Sequence, residues 1–205
     1  MRVSMTEVYR DWINDLKDRA GRARIQMRVD RLAHGNPGQH RNLTHGISEL
    51  KIDIGPGYRV YYTERNGELI ILLAGGDKST QQQDIKTAIA LTSKLQEFKD
   101  MPKASTKPTT RTKTVPYDVA EQLRTPEEMA AYLDAWLEEA PDDAAGIARA
   151  LGDIARAKGM SQVARDAGLS RESLYKALSE NGNPSFATVL KVARALGVKL
   201  HAEAA

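Results

Sequence analysis

Between residues 46 and 85, hydrophobic and polar positions alternate in a way that predicts a small β-sheet. Residues 48–54 place apolar side chains on one face of a strand and mostly charged ones on the other. A Gly-Pro-Gly turn leads into a second strand, residues 58–64, and an Asn-Gly dipeptide then signals a hairpin. The third strand, residues 69–73, is continuously apolar, which is typical of a strand buried on both faces.

The pairing of the first two strands predicts a sheet with two unlike faces. If the turn holds three residues, Ile54 lies opposite Tyr58 and Lys51 lies opposite Tyr61. Lys51, Tyr61 and Arg59 then share one face, together with Asp53, because side chains alternate along a strand. The sequence therefore predicts one apolar and one cationic face.

Helical spacing predicts two helices before the sheet and one after it. The first, to about residue 19, is capped by Ser4 and buries Met5, Tyr9, Trp12 and Leu16. The second, about residues 20–33, exposes Arg24, Arg28 and Arg31. This face is either solvated or a phosphate-binding stripe. The third, residues 80–98, begins at a Ser79/Gln82 capping box and is expected to pack on the apolar face of the sheet.

The second half of the chain has a different pattern, which is entirely helical. Residues 100–114 are rich in Lys, Thr and Pro, which is linker composition. A capping box at Thr125 starts a helix to about residue 139, and a second follows over residues 142–158. SQVARDAGLSRESLYKALS then gives two short helices, capped by Ser161 and Ser170, around a glycine turn, which is the helix-turn-helix pattern. A last helix precedes Gly197. We predict domains over residues 1–99 and 115–205, joined by a linker over 100–114.

Charge divides the chain in the same place. The net charge of +3 is made up of +3 over residues 1–100, +4 over 101–114 and −4 over 115–205. Residues 118–143 alone carry nine acids and one arginine. Two units of opposite charge could attract each other, and a basic unit suggests an anionic partner. The absence of cysteine fits the cytoplasm, the start of the chain argues against secretion, and no apolar run is long enough to span a membrane.

Two sequence segments of the first half, GPGYRVYY and LAGGDKSTQQQDI, resemble the phage-derived HigB-like toxins of the RelE/ParE superfamily. The resemblance covers about the first hundred residues. In the second half, ALGDIARAKGM, GLSRESLYKALS and GNPSFATVLKVARALGV resemble the HigA-type antidote, a lambda-repressor-like DNA binder. The implied fold class is α+β: a RelE/ParE-like domain with two N-terminal helices, a small antiparallel sheet and a C-terminal helix, followed by an all-α helix-turn-helix domain.

The resemblance implies a type II toxin–antitoxin module in one chain. Its toxin half would be a ribosome-dependent mRNA endonuclease that needs no cofactor, masked by an antidote that represses its own operator. Several relatives use a catalytic tyrosine near the C-terminus of the domain, where this chain has Phe98. Two alternatives therefore stay open: a ParE-like toxin that binds and inhibits DNA gyrase, and a DNA-binding repressor whose first domain is not catalytic.

The cationic face offers residues for RNA cleavage without a metal ion. Arg59 presents a planar fork that matches phosphate oxygens, and Lys51, crowded by arginines, could act as the base. Lys78 could steady the leaving oxygen, Tyr61 could stack on a base or donate a proton, and Arg41 adds a cation at the entry to the sheet. The alternative is a simple Asp53–Arg59 ion pair beside a solvated lysine. His34, His40 and His45 are better explained as polar loop residues.

In the second half, the start of residues 170–179 is expected to enter the major groove of DNA. The outward positions that could read base edges are Arg171, Glu172, Ser173 and Lys176, and those that could hold phosphates are Gln162 and Asn183. Residues 156–176 carry five basic and two acidic side chains, which favours DNA over a purely protein-binding domain. We expect a homodimer, and we expect the acidic segment 118–143 to pack near the arginines of the toxin half.

Overall fold

The computed structural model describes residues 1–96, 112–179 and 182–201. The chain forms two compact units, Met1–Asp118 and Val119–Ala205. Most of the predicted linker and Phe98 lie outside the described residues. The first unit ends later than predicted, because a short strand after the linker belongs to it. No helix in the described ranges combines the length and apolar character needed to cross a membrane.

The first unit is a six-stranded sheet with helices on both faces. Its elements in chain order are β1 Arg2–Thr6, α1 Glu7–Asp15, α2 Arg19–Ala33, β2 His40–Asn42, β3 Ile47–Ile52, β4 Tyr58–Arg65, β5 Leu69–Asp77, α3 Gln81–Gln96 and β6 Thr114–Pro116. The strand order is β2-β3-β4-β5-β1-β6. The antiparallel meander β3-β4-β5 is confirmed, but the sheet is mixed, because β1 runs parallel to β5.

The predicted first helix is wrong at its start, where the chain forms β1. The N-cap is Thr6, whose hydroxyl accepts a hydrogen bond from the Tyr9 N–H at 3.2 Å and donates one to the Leu73 carbonyl at 2.6 Å. Ser4 lies within β1, paired with Ile71 of β5. The pairing with a strand some 65 residues away decides the conformation of this segment, and a local helical pattern cannot reveal it.

Each face of the sheet has its own hydrophobic core. Helices α1 and α2 cover the face that carries Leu50, Val60 and Leu72. Helix α3 covers the opposite face through a second core, whose buried members are Ile47, Tyr61, Ile71, Leu73, Ala74 and Ala88. The prediction that α3 packs on the first face is therefore wrong. The face expected to be cationic and exposed is an α3-covered core at one end and charged at the other.

Strand β5 is longer than the predicted residues 69–73, and its extension contains two glycines. The strand continues through Gly75 and Gly76 to Asp77. A Cβ on Gly75 would overlap the Trp12 ring, and a Cβ on Gly76 would overlap the Asp84 carboxylate. Glycine is needed here because neighbouring side chains lie directly on the backbone.

Helix α3 does not begin with the predicted Ser79/Gln82 capping box, which is absent from the described contacts. Instead, the Thr80 hydroxyl donates a hydrogen bond to Asp84 Oδ2 at 2.6 Å.

The second unit is helical throughout its described part. A 3₁₀ helix, Val119–Gln122, precedes α4 Pro126–Glu139, α5 Ala144–Lys158, α6 Met160–Asp166, α7 Arg171–Ala177 and α8 Phe186–Leu196. The capping box at Thr125 and the cap of α7 by Ser170 are confirmed. Helix α6 starts two residues earlier than expected and has Gly159, not Ser161, at its N-cap. Helices α6 and α7 bury Val163, Ala164 and Leu174.

Candidate functional site

The register of the sheet places the candidate cations of the first unit side by side. Lys51 pairs directly with Arg59, and Arg59 pairs with Gly76 on the next strand. The predicted partner of Lys51 was Tyr61, two residues further along β4. Because a shift of two residues preserves the face, Lys51, Arg59 and Tyr61 share one face as predicted. We call Lys51 and Arg59 the cation row, and the Asp84 carboxylate lies next to it, over Gly76.

The neighbouring row is organised by a buried glutamate that the sequence analysis left out of the site. Glu49 pairs with Arg41 on β2 and Tyr61 on β4, and its side chain is fully buried. Its Oε2 accepts hydrogen bonds from Arg41 Nη2 at 3.2 Å and Gln81 Nε2 at 2.8 Å, and Arg41 Nε lies 3.0 Å from Oε1 in an ion pair. The Arg59 Nε lies 3.9 Å away. Opposite charges and an amide donor offset the cost of burying this carboxylate.

The Arg59 guanidinium is bound by two groups of the first unit. Its Nη1 donates to Asp53 Oδ1 at 3.2 Å and to the Tyr58 carbonyl at 2.7 Å, and the residue is buried. The cross-strand ion pair with Asp53, which was the alternative to a phosphate contact, is therefore present. Since the Asp53 side chain is half exposed, an incoming anion could displace it, and Arg59 would then need no movement of its own backbone.

Tyr61 cannot play the stacking role that the sequence allows it. The residue is fully buried in the core beneath α3, so that its ring presents no face to a base. Burial raises the pKa of its hydroxyl, and the nearby carboxylates of Glu49 and Asp84 raise it further. At neutral pH Tyr61 keeps its proton. Its hydroxyl can donate toward Glu49, and it is no general base.

Lys78 lies at the turn between β3 and β4. It follows β5 directly, and its aliphatic stem runs over Gly57 in the turn between β3 and β4. The side chain is exposed, unlike that of Arg59. Beside it, hydrogen bonds from the Ser79 hydroxyl and N–H lower the pKa of Asp77. Burial raises the pKa of Asp84, the carboxyl over Gly76.

The arginine stripe of α2 is not a phosphate site along its whole length. Arg28 is buried, and its Nη2 donates to the carbonyls of Pro37 at 2.6 Å and Gln39 at 2.9 Å. It fastens the loop that leads into β2. His34, His40 and His45 are exposed, and each ring Nδ1 makes a local contact no more than four residues away.

The second unit presents its predicted DNA-reading residues together. Arg171, Glu172, Ser173 and Lys176 are all exposed on α7, while Leu174 points into the core. The Arg171 guanidinium lies over the Tyr175 ring at 5.4 Å from its centroid. An open groove of about 470 Å³ adjoins this helix, lined by Arg156, Gly159, Met160, Ser161, Gln162, Arg165, Arg171 and Tyr175.

The two predicted phosphate contacts differ in their surroundings. Gln162 lies in the groove, where its amide donates to Asp166 Oδ1 at 2.7 Å and accepts from Arg165 Nη2. Asn183 is exposed before α8. Arg156 and Arg165 were not among the predicted site residues. Arg156, Arg165 and Arg171 lie on three successive helices, α5, α6 and α7. Only the packing of these helices brings the three arginines to one groove.

Comparisons with known proteins match the two halves separately. Residues 11–97 match the family model "Phage derived protein Gp49-like", and residues 113–204 match "Probable addiction module antidote protein". An uncharacterized protein of Haemophilus influenzae is 56% identical over 87 residues, which cover 42% of this chain and 88% of the relative. A second uncharacterized protein of that strain is 45% identical over 95 residues, covering 46% and 96%.

No solved structure matches the chain significantly. The two matched ranges together span most of the sequence, and each falls within one of the two charge-defined halves apart from a few residues near the junction. The chain therefore belongs to the phage-derived Gp49-like family through its first half and to the probable addiction module antidote family through its second, and this combination supports a toxin–antitoxin module in one polypeptide.

Proposed function

We propose that the first unit is a metal-independent endonuclease for mRNA on the ribosome, and that the second unit neutralises it and represses transcription from its own operator. The observation that carries the proposal is the union, in one polypeptide, of a Gp49-like unit that pairs two cations on adjacent strands with an antidote unit that exposes a basic helix. We propose that this is a type II module of the HigB/HigA kind, with a toxin of the RelE/ParE superfamily and a lambda-repressor-like antidote.

The cation row supports phosphoryl chemistry. Side chains directly opposite on antiparallel strands have Cβ atoms about 5 Å apart, so the charged groups of Lys51 and Arg59 can bind one anion together. In our proposal Arg59 binds the phosphate, and Lys51, acting as the neutral amine, accepts the proton of the 2′-hydroxyl and then, as an ammonium, stabilises the phosphate. Lys78, whose stem runs over Gly57, donates a proton from its ammonium to the leaving 5′-oxygen. Arg41 guides the strand and, through Glu49, steadies Arg59.

Expression of residues 1–118 alone is expected to arrest growth and to leave cleaved mRNA, whereas the full chain is tolerated. The boundary keeps β6, which belongs to this unit. Lys51→Ala is expected to slow cleavage at least ~100-fold, because it removes both a phosphate contact and the proposed base. The measurements are growth after induction and mapping of mRNA 5′ ends.

The matched control is Arg65→Ala, at the far end of the neighbouring strand β4, which should leave cleavage within about two-fold of the parent. Arg59→Ala is a weaker test, because it also leaves Glu49 with fewer partners. Harmless expression of residues 1–118 at a level where the fragment is folded would contradict a toxin of any kind and favour a repressor with a non-catalytic first domain.

A gyrase inhibitor is the second candidate, and one observation favours it. The Arg59 guanidinium is already bonded within its unit, and Tyr61 is buried with a raised pKa, so Tyr61 is not available for acid–base chemistry. Under that alternative the growth arrest would come with intact mRNA and loss of gyrase supercoiling activity.

The second unit is proposed to bind operator DNA through α7 in the major groove. Arg171, Glu172, Ser173 and Lys176 would meet base edges, while Gln162 and Asn183 and the arginines of the groove would meet phosphates. A homodimer is part of this proposal, with half-sites about 34 Å apart. Phe186 and Leu190, one turn apart on α8, are 71% and 45% exposed and could form its contact.

Arg171→Ala in the full chain is expected to weaken operator binding by about 1–3 kcal/mol and to relax the base preference at one position. Its guanidinium is already positioned over Tyr175, so little side-chain freedom is lost on binding. The measurement is fluorescence anisotropy with DNA from upstream of the reading frame, at several salt concentrations. Lys191→Ala, an exposed cation on α8, is the control. Equal affinities for both variants would contradict docking through α7.

Neutralisation is proposed to have an electrostatic part. The acidic segment 118–143 carries a local charge of −8, and the first hundred residues carry +3. Opposite charges steer and orient association, and a tether keeps the effective concentration at around millimolar. If this part is important, the association of separated halves weakens with salt.

A further inference from the structure

One short strand of the first unit comes from residues that match the antidote family. The antidote match begins at residue 113, whereas the first compact unit extends to Asp118. Strand β6, Thr114–Pro116, lies in this overlap and forms the last strand of the six-stranded sheet. The antidote half therefore begins with a segment that is structurally part of the toxin half. We call residues 114–117 the arm.

The backbone of the arm completes the edge of β1. Strand β6 is antiparallel to β1, with Met5 opposite Val115 and Ser4 opposite Pro116. The Tyr117 N–H donates to the Val3 carbonyl at 3.0 Å. Hydrogen-bonding residues alternate along an antiparallel strand, so the nitrogen of Pro116 faces away from β1, where a missing N–H removes no bond of the ladder. Shifting the pairing of β6 with β1 by one residue would turn the Pro116 nitrogen toward β1, where a hydrogen bond of the ladder would be lost.

The side chains of the arm enter a core already described. Val115 and Tyr117 both pack against the cluster that contains Met5 and Tyr9. The rings of Tyr117 and Tyr9 meet edge to face, with centroids 6.4 Å apart and planes at 69°. Edge-to-face aromatic pairs and apolar burial both stabilise such a contact. The arm thus combines main-chain pairing with two side-chain anchors.

We infer that the arm is the anchor by which the antidote half holds the toxin half, and that the open edge of β1 is its docking site. Adding a strand to a sheet edge in this way is a general mode of peptide recognition. The inference rests on the proposed function in so far as it names the halves toxin and antidote. The occupant of the edge is this chain's own arm.

The position of the arm separates anchoring from inhibition. In the sheet order, β5 and β1 lie between β6 and the strand that carries Arg59, and Arg41 is on the opposite edge strand. The arm therefore does not touch the cation row. It would hold the antidote half to the toxin half whether the cation row binds RNA, binds gyrase or is empty.

The test separates the two halves without removing either. A specific protease site is placed between residues 100 and 111 of the full chain, the purified protein is cut, and association of the two fragments is measured by gel filtration and by titration. The fragments of the parent chain are expected to co-elute. With Val115→Asp and Tyr117→Ala together, the dissociation constant is expected to rise at least ~100-fold, since two anchors of roughly ten-fold each are lost.

Two controls make the result specific to the arm. Lys113→Ala alters the exposed residue just before the arm and should leave the affinity within about two-fold. Hydrogen exchange in β3 and β4 should be unchanged in the double variant, which shows that the first unit remains folded. Parent fragments that separate, or variant fragments that bind as tightly as the parent, would overturn the inference. Because the assay needs neither RNA cleavage nor operator binding, a failure of the proposed function leaves it intact.

Discussion

Replacing Glu49 with glutamine is expected to lower the free energy of unfolding of the first unit by about 3 kcal/mol. The substitution keeps the shape of the side chain and removes its charge. Arg59, which is buried, then keeps Asp53 as its carboxylate neighbour and loses Glu49, and weakening the compensation of a buried charge is among the most destabilising of single changes. Hydrogen exchange of the β3 and β4 amides measures the effect within this unit.

The matched control is Asp53→Asn, which removes the other carboxylate beside Arg59. The Asp53 side chain is 52% exposed, whereas that of Glu49 is fully buried. An exposed ion pair contributes about 0–1 kcal/mol, so this control should have a small effect. Similar losses in the two variants would show that burial of Glu49 does not set the strength of the cluster.

Replacing Gly146 with alanine is expected to destabilise the second unit by about 3 kcal/mol. A Cβ at this position, in the first turn of α5, would overlap the ring of Trp136, which is completely buried in α4. The ring has no space to retreat, and overpacking of this kind costs about 1–3 kcal/mol or more. Urea unfolding followed by Trp136 fluorescence, in a Trp12→Phe background, measures it.

The neighbouring residue provides the comparison. Ala145→Ser adds an atom at an exposed site in the same turn and is expected to change stability by no more than about 0.5 kcal/mol. In an open helical position, glycine to alanine would stabilise by up to about 1 kcal/mol. Stabilisation by Gly146→Ala would therefore show that α4 and α5 can move apart without loss.

Local signals predicted the helical half of the chain well. Thr125 and Ser170 cap their helices as expected, because a cap depends on residues three positions away. The turn between α6 and α7 was likewise visible in the sequence. The wrong prediction of Ser161 as the N-cap of α6 also has a local cause. Gly159, which has positive φ, is both the C-cap of α5 and the N-cap of α6.

Non-local contacts account for the errors in the first half. The helical spacing of Met5, Tyr9 and Trp12 is real from Tyr9 onward, but pairing with β5 turns Met5 into a strand residue. The continuously apolar β5 indicated that both faces of the sheet would be covered, and this signal should have placed α3 over Tyr61. Glu49 was counted as an exposed charge because alternation tells which face a residue is on and not what covers that face.

The parallel pairing of β1 with β5 has a consequence for the order of events during synthesis. Strand β1 cannot pair until β5, which ends at Asp77, has emerged from the ribosome. The sheet of the first unit is therefore completed late in synthesis. The arm is made forty residues after that strand, which at ordinary rates of translation is about 2–8 s. The toxin half and the arm that anchors the antidote half would thus leave the ribosome within seconds of each other, always in equal numbers.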